Sequence, residues 1–395
     1  MGQGTEEGDR RAVEDLVPVR GSPGSRPVFD GADQGGVRGR CGPSTGTGWA
    51  VAPWVGYADS GGVSPAFPDI SPPNPCALDP MAAAVAVAAG QYGVLSWPQA
   101  RECGLNRYDL RRMVRRREWL HPHLQVYVVR RLMPGAGTPE RLRCLAMAAQ
   151  LALGARACVA GPTAARLWGM QGLDRWDGRQ VHMVVPAVKR PRKLIGVDLH
   201  GWNVRPEEIT VFDGGLRVTD PGRTLRDTVP ALGRERAVCL MDSALNQGLL
   251  KQGDVETMNR VMRGRAGCVD MRRWWKLADG RAQSPLETRI RLICQDGGAP
   301  PDELQRRFTD REGQTVAVVD FWWERARLIG EADGLGPHST PRALARDRKR
   351  QNALQMLYPD VRIVRFTWAD LKQPNYILEL VAGGSHRGGA AMGKG

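Results

Sequence analysis

Val316-Ala317-Val318-Val319-Asp320-Phe321-Trp322 and Arg327-Leu328-Ile329-Gly330-Glu331-Ala332-Asp333-Gly334 decide the fold of the C-terminal part of this chain. Each run is rich in β-branched and aromatic residues, and Trp323-Glu324-Arg325-Ala326 between them is short enough for a hairpin loop. A loop closing symmetrically about Arg325 and Ala326 puts Asp320 directly opposite Glu331, with both side chains on one face of the sheet. Asp333, two residues beyond Glu331, shares that face. Three carboxylates then converge among apolar neighbours, where like charges repel unless something offsets them. A divalent cation is the expected offset. An all-oxygen ligand set of Asp320, Glu331 and Asp333 favours Mg²⁺ or Mn²⁺ over zinc. In a basic protein such a cation points to phosphodiester hydrolysis, polarising the phosphate and helping to activate water for in-line attack.

The flanks add candidates. Ser284-Pro285-Leu286-Glu287 reads as a helix start, with Ser at the N-cap, Pro at the first helical position and Glu three residues past the cap. Leu286, Ile290 and Ile293 form its buried stripe. Glu287 joins the carboxylates from this helix, or serves only as its capping-box residue. His338 is a candidate general acid/base or phosphate ligand, with a plain surface histidine as the alternative. Residues 342–357 read as a helix carrying Arg346, Asp347, Arg348, Lys349 and Arg350, with Asp347 read as pairing to its arginine neighbours and Arg348 and Lys349 as approaching DNA. Residues 361–366 read as a strand, and Thr367 as the cap of a last helix.

Ser284-Pro285-Leu286-Glu287, Val319-Asp320-Phe321, Glu331-Ala332-Asp333-Gly334 followed by His338, Asp347-Arg348-Lys349-Arg350 and Val364-Arg365-Phe366 occur in that order. Together they resemble the uncharacterised domain related to very-short-patch-repair (Vsr) endonucleases, within the PD-(D/E)XK restriction-endonuclease-like superfamily. The resemblance implies an α/β core with a mixed central sheet and metal-dependent DNA cleavage or nicking. It makes Asp320 the metal-binding aspartate, Glu331 the acidic residue of the (D/E)XK element, Glu287 the helical glutamate, and His338 the histidine after the E-x-D-G signature. Asp333 stands where many superfamily members place a catalytic lysine. Vsr-like members share that departure, which leaves the water-activating group unassigned.

Charge is unevenly placed along the 395 residues, which hold 56 Lys and Arg against 42 Asp and Glu for a net +14. Residues 1–80 contain 15 Gly, 11 Pro, six Arg and ten Asp or Glu, and show little apolar periodicity, so disorder is expected. The remainder carries about +18 by the same count, which puts polyanions first among partners. Met81 opens the first folded-looking stretch and is the expected physiological start, with a true disordered arm as the alternative. No run of 18 apolar residues appears, and the N-terminus lacks the order of a signal peptide. The eight cysteines are too scattered for a zinc ribbon or disulfide scaffold, so reduced thiols in a cytoplasmic protein are expected.

Residues 82–89 read as a short helix ending at Gly90. Ser96, with Gln99 three residues on, caps a second helix that stops at Gly104, and Asn106 caps a third over residues 107–119. Leu110, Met113 and Val114 share one face of the third helix. Arg107, Arg111, Arg112, Arg115, Arg116 and Arg117 crowd the other. With the strand-like residues 121–129 this makes a winged helix-turn-helix, its third helix entering the major groove and its arginines reaching phosphates or guanine edges. A solvated basic face on an ordinary helical hairpin is the alternative. The stretch also resembles the N-terminal domain of AbiEi-type antitoxins. That likeness implies DNA binding and a cognate toxin as a second partner.

Residues 139–153 and 162–169 read as helices, 181–186 and 215–219 as strands, and 219–227 as a turn entering a helix. Lys189, Arg190, Arg192 and Lys193 form a basic loop cluster, read chiefly as solvated. The order from the wing through Val218-Thr219-Asp220-Pro221-Gly222-Arg223-Thr224-Leu225-Arg226-Asp227 resembles the middle region of actinobacterial AbiEi-like proteins.

The expected α/β (α+β) architecture is therefore a disordered 1–80, a winged helix-turn-helix over 81–130, a mixed α/β connector over 131–280, a Vsr-like nuclease domain with a mixed central sheet over 281–384, and a tail over 385–395. The expected activity is Mg²⁺- or Mn²⁺-dependent DNA cleavage. Two rivals remain: a non-catalytic antitoxin-type regulator with a degenerate nuclease fold, and nicking of RNA.

Overall fold

Asp79 accepts a hydrogen bond from the Ala82 amide and so starts α1, Pro80–Ala89, two residues ahead of the expected Ala82. The structure, a computed structural model, describes residues 79–185, 193–261, 268–334 and 341–385. Residues 1–78, the basic loop residues Lys189, Arg190 and Arg192, His338 and residues 386–395 lie outside these ranges. After β1 (Val94–Ser96), the Ser96 hydroxyl and the Gln99 side chain form a reciprocal capping box that opens α2, Trp97–Glu102. Asn106 and Asp109 do the same for α3, Arg107–Arg115, and Leu110 and Met113 turn into the core. The third helix stops short of the expected Trp119. Arg117 takes a φ of +57°, and the buried Trp119 begins β2 (Trp119–His123) instead. Burial of that indole outweighs the propensity to continue the helix. β3 (Val126–Val129) pairs antiparallel with both β2 and β1, giving the sheet order β1-β3-β2 and the expected winged helix-turn-helix.

α4 (Pro139–Leu153) lays its buried face, Leu142, Ala146, Met147 and Ala149, on a five-stranded sheet. The sheet takes β4 (Cys158–Val159), β5 (Val181–Val184), β6 (Val197–His200), β7 (Ile209–Val211) and β8 (Arg217–Thr219) in the order β6-β5-β4-β8-β7. β5–β6 and β4–β8 run parallel, the other two pairs antiparallel. α5 (Gly161–Leu167) precedes β5, and four helices follow β8: α6 (Pro221–Thr228), α7 (Arg234–Asn246), α8 (Gln252–Val261) and α9 (Cys268–Trp275). Asp220 caps α6, as the Thr219–Asp227 reading requires. Cys103, Cys144, Cys158, Cys239 and Cys294 are free thiols.

The C-terminal region opens with α10 (Pro285–Asp296), capped by Ser284. β9 (Glu303–Thr309), β10 (Thr315–Trp323) and β11 (Leu328–Ala332) form an antiparallel meander. α11 (Pro341–Leu357) then crosses over to β12 (Arg362–Phe366), parallel to β11. The sheet β12-β11-β10-β9 is mixed, as expected. Phe321 pairs with Gly330, Trp322 with Ile329 and Trp323 with Leu328, the register read from the symmetric loop. Thr367 does not cap the last helix. Its amide and hydroxyl both donate to Asp370 in a short turn, and α12 begins only at Pro374, running to Ser385.

Leu286, Ile290, Phe321, Trp323, Phe366 and Ile377 form one core between α10, α12 and the sheet. A Cβ on Gly330 would stand 2.9 Å from the Trp323 ring, 3.0 Å from Phe366 and 3.2 Å from Phe321. Gly330→Ala is therefore expected to destabilise by about 1–3 kcal/mol through overpacking, read as a lower urea midpoint at unchanged slope. Residues 280 and 281 do not mark a packing boundary: Leu292 of α10 shares a core with Leu240 of α7 and Trp275 of α9.

Candidate nucleic-acid interface and carboxylate site

Asp320 sits where β10 changes faces. Ala317 and Val319 pack with Phe308 and Trp322 on one side of the sheet, whereas Phe321 and Trp323 pack with Leu304 on the other. The alternation breaks at Asp320 and, on β9, at Gln305, whose φ of +54° is a conformation that non-glycine residues seldom adopt. The kink aims the Gln305 carboxamide between two carboxylates: its Nε2 donates to Glu287 Oε2 and to Asp320 Oδ1, at 3.1 Å each. Asp320 Oδ2 accepts from the Ala332 amide at 2.8 Å. Glu287 also ties down the start of α10, accepting from the Gln283 amide and the Ser284 hydroxyl rather than from the Ser284 amide that a capping box would use. One side chain thus both anchors the helix start and approaches Asp320 through Gln305.

Burial pushes both carboxyls above their ordinary range. For Glu287 the nearby charge of Asp320 adds to the effect of burial, while hydrogen bonds from Gln283, Ser284 and Gln305 oppose it. For Asp320 the Ala332 amide, Gln305 and the charge of Arg350 pull the other way.

The other two carboxylates are held elsewhere. Glu331 lies 3.4 Å from the Arg350 guanidinium, and Asp333 lies 3.5 Å from that of Arg365. Among the described residues no group of three or more His, Cys, Asp or Glu is placed to hold a metal ion. The expected convergence of Asp320, Glu331 and Asp333 is thus replaced by a Glu287–Asp320 pair. The face switch is the reason, because it turns Asp320 toward α10. The pair still suits a hard cation. Mg²⁺ is commonly held by one or two carboxylates plus substrate phosphate, and the Gln305 carboxamide, turned over, presents a further oxygen. Gln305 escaped the sequence reading. Its only signal was a lone carboxamide near the start of a strand.

The second surface lies on α3 and the wing. Arg107, Arg111, Arg112, Arg115 and Arg116 are all exposed, as are Arg348 and Lys349 on α11. Arg107, Arg111 and Arg115 line one wall of a groove of about 460 Å³ between α3 and the β2–β3 wing, with Trp97, His121, Leu124 and Tyr127 among its other residues. The Arg107 guanidinium lies over the Trp97 ring at 5.3 Å, and His121 stacks on Tyr127 at 4.8 Å. No acidic residue lines this groove. Arg112 differs from its neighbours, lying 3.7 Å from Asp109 on the same helix.

No family model matches the chain. Two strains of Mycobacterium tuberculosis carry relatives, uncharacterized proteins Rv2248 (strain H37Rv) and MT2308 (strain CDC 1551 / Oshkosh). Each is 32% identical over 223 residues, which cover 56% of this chain and 79% of the relative. Among solved structures, the crystal structure of the RV2827C protein from Mycobacterium tuberculosis aligns with a TM-score of 0.32 at 16% identity, covering 48% of this chain and 75% of that one. That likeness is too slight to bear on fold or function. Among the described residues no helix is long and apolar enough to cross a membrane.

Proposed function

The chain belongs to the family of the Mycobacterium tuberculosis protein Rv2248, and from its own residues we propose a DNA-binding, Mg²⁺- or Mn²⁺-dependent endonuclease. The observation that carries the reading is the buried Glu287 and the half-buried Asp320 converging on one carboxamide. Two carboxylates brought this close away from solvent cost stability, and a site that ligates a cation is the economical reason to keep them. The Vsr-like order of motifs agrees with this assignment.

When bound, the cation supplies charge neutralisation at the scissile phosphate and Lewis acidity for in-line attack by water. The chain's own residues divide the remaining work. Asp320 and Glu287 supply oxygen ligands, Gln305 sets their separation, and the Ala332 amide fixes the Asp320 rotamer. Arg107, Arg111 and Arg115 meet the phosphate backbone and the major groove, and Arg348 and Lys349 approach the backbone from α11. On this reading the protein acts on duplex DNA in the cytoplasm.

Supercoiled plasmid incubated with the full chain and Mg²⁺ or Mn²⁺ is expected to be nicked or linearised, and EDTA to abolish the reaction. A folded protein that shifts DNA and cuts neither paired nor mismatched duplex overturns the enzymatic reading. The alternative is an AbiEi-type regulator acting with a cognate toxin. One observation favours it: Glu331 and Asp333 each face an arginine rather than Asp320.

DNA binding has its own signature. The slope of log affinity against log salt is expected to shrink by about 0.9 for each of Arg107→Ala, Arg111→Ala and Arg115→Ala, and by less for Arg112→Ala, whose charge Asp109 already offsets. Fluorescence anisotropy with a labelled duplex at several salt concentrations measures this. Unchanged slopes would remove α3 from the interface.

A further inference from the structure

Charge alone does not account for the groove between α3 and the wing. Exposed arginines meet a phosphate backbone without any concavity. Here Arg107, Arg111 and Arg115 instead stand along a cleft of about 460 Å³ that they share with Trp97, His121, Leu124 and Tyr127. Sites for small ring ligands commonly span roughly 300–1,000 Å³. The rings on the wing form a column. Trp119, buried in the core, lies 6.3 Å from Tyr127, and Tyr127 stacks on His121 at 4.8 Å with the ring planes 15° apart. Tyr127 is half-buried and His121 exposed, so the column runs from the core to solvent. Burial pushes the His121 imidazole below its ordinary range, which leaves the outermost ring uncharged at neutral pH. Trp97 is the other half-buried ring of the groove, with the Arg107 guanidinium 5.3 Å above it. Leu124, beside the wing residue Gln125 with its φ of +62°, is 60% exposed. Partly exposed rings beside cations, with no acidic side chain among the described residues that line the groove, suit a nucleobase together with its phosphate.

We propose that this groove takes one unpaired base, so that the protein prefers duplex DNA bearing a single-stranded flank to blunt duplex. The inference rests on the DNA-binding reading above and concerns which DNA the same surface selects. Arg107, Arg111 and Arg115 hold phosphates on either reading. The rings add a second contact: a base freed from the duplex end continues the Trp119–Tyr127–His121 column. A base still paired inside the helix offers the groove only its edge, so blunt duplex gains nothing from the rings. Every base has a π-face, so the flank is selected with little regard to its sequence.

Fluorescence anisotropy of the full chain in EDTA, with three labelled duplexes of one sequence, tests this. The first is blunt, the second carries a short single-stranded flank, and the third carries the same flank built of abasic sugar-phosphates. The abasic flank keeps the added charge and lacks the rings. The base-bearing flank is expected to bind about tenfold more tightly than the abasic one, the size of one stacked base. His121→Ala/Tyr127→Leu should lose that advantage and keep its affinity for blunt duplex. His121→Phe, which preserves a ring at the end of the column, should retain it. If the double variant does not fold, the comparison of the two flanks on wild type still decides. Equal binding of base-bearing and abasic flanks overturns the proposal. An advantage that survives in the folded double variant puts the base elsewhere and overturns it too. Failure of wild type to bind any of the three duplexes removes the DNA-binding reading itself, and the flank preference with it.

Discussion

Asp320→Asn is expected to leave the chain folded and bound to duplex DNA while lowering Mg²⁺-dependent plasmid cleavage by about 10³-fold, roughly 4 kcal/mol of barrier. The two halves of this expectation have separate causes. Burial already disfavours the ionised form of Asp320, so a neutral side chain of the same shape is tolerated, and Asn can still accept from the Ala332 amide. Cation ligation needs the negative charge, which Asn lacks. Glu287→Gln separates the two roles of its side chain. Gln serves the N3 position of a capping box as Glu does, so α10 should keep its start, and any loss of cleavage then reports chemistry. A single-turnover nicking assay at saturating Mg²⁺, with circular dichroism of each variant, measures both. Cleavage by Asp320→Asn at the wild-type rate would sink the carboxylate assignment and leave a DNA-binding regulator.

What the sequence made legible was local. Ser96 with Gln99, Asn106 and Ser284 announce their helices because a cap needs only the next few residues. The β10–β11 register was readable because a short loop admits few ways to close. The end of α3 was not, since Trp119 is drawn into a core that α1, α2, β1 and β3 build with α3, which no pattern within the helix itself announces. β4, β6 and β7 were missed because strands of two to four residues leave no periodic trace. The carboxylates were found, but their grouping was not. Strict alternation along β10 predicts Asp320 beside Glu331 and Asp333, and the face switch at Asp320 and Gln305 defeats it. A φ of +54° at a glutamine is a tertiary outcome. Departures of this kind cluster where structure serves a site.

The second large effect is structural. Asp242 of α7 is 1% exposed. It accepts from the Asp279 amide at 2.7 Å, the Thr288 hydroxyl at 2.8 Å and the Arg291 guanidinium at 2.7 Å, and so ties α7 to α10. Asp242→Ala is expected to destabilise by about 3–5 kcal/mol, because it strands the buried charge of Arg291 and leaves the Asp279 amide unmet. Replacing both partners, as Asp242→Leu with Arg291→Met, should recover most of that loss if the pair is worth little against apolar packing. Thr288 adjoins Glu287, so loosening this tie is expected to weaken cleavage without touching a ligand. The pH dependence follows from the direction of the shift. Burial pushes the Asp242 carboxyl above the usual carboxylate range, against the pull of Arg291. The native state therefore takes up this proton before the unfolded chain does. The group's contribution to stability is fully present below the unfolded pKa and is lost as pH rises through the raised native value. The urea midpoint of wild type, measured relative to that of Asp242→Asn, should consequently rise as the pH is lowered from 7 toward 4. A relative fall instead would mean that the pairing with Arg291 outweighs desolvation and that the native carboxyl is depressed.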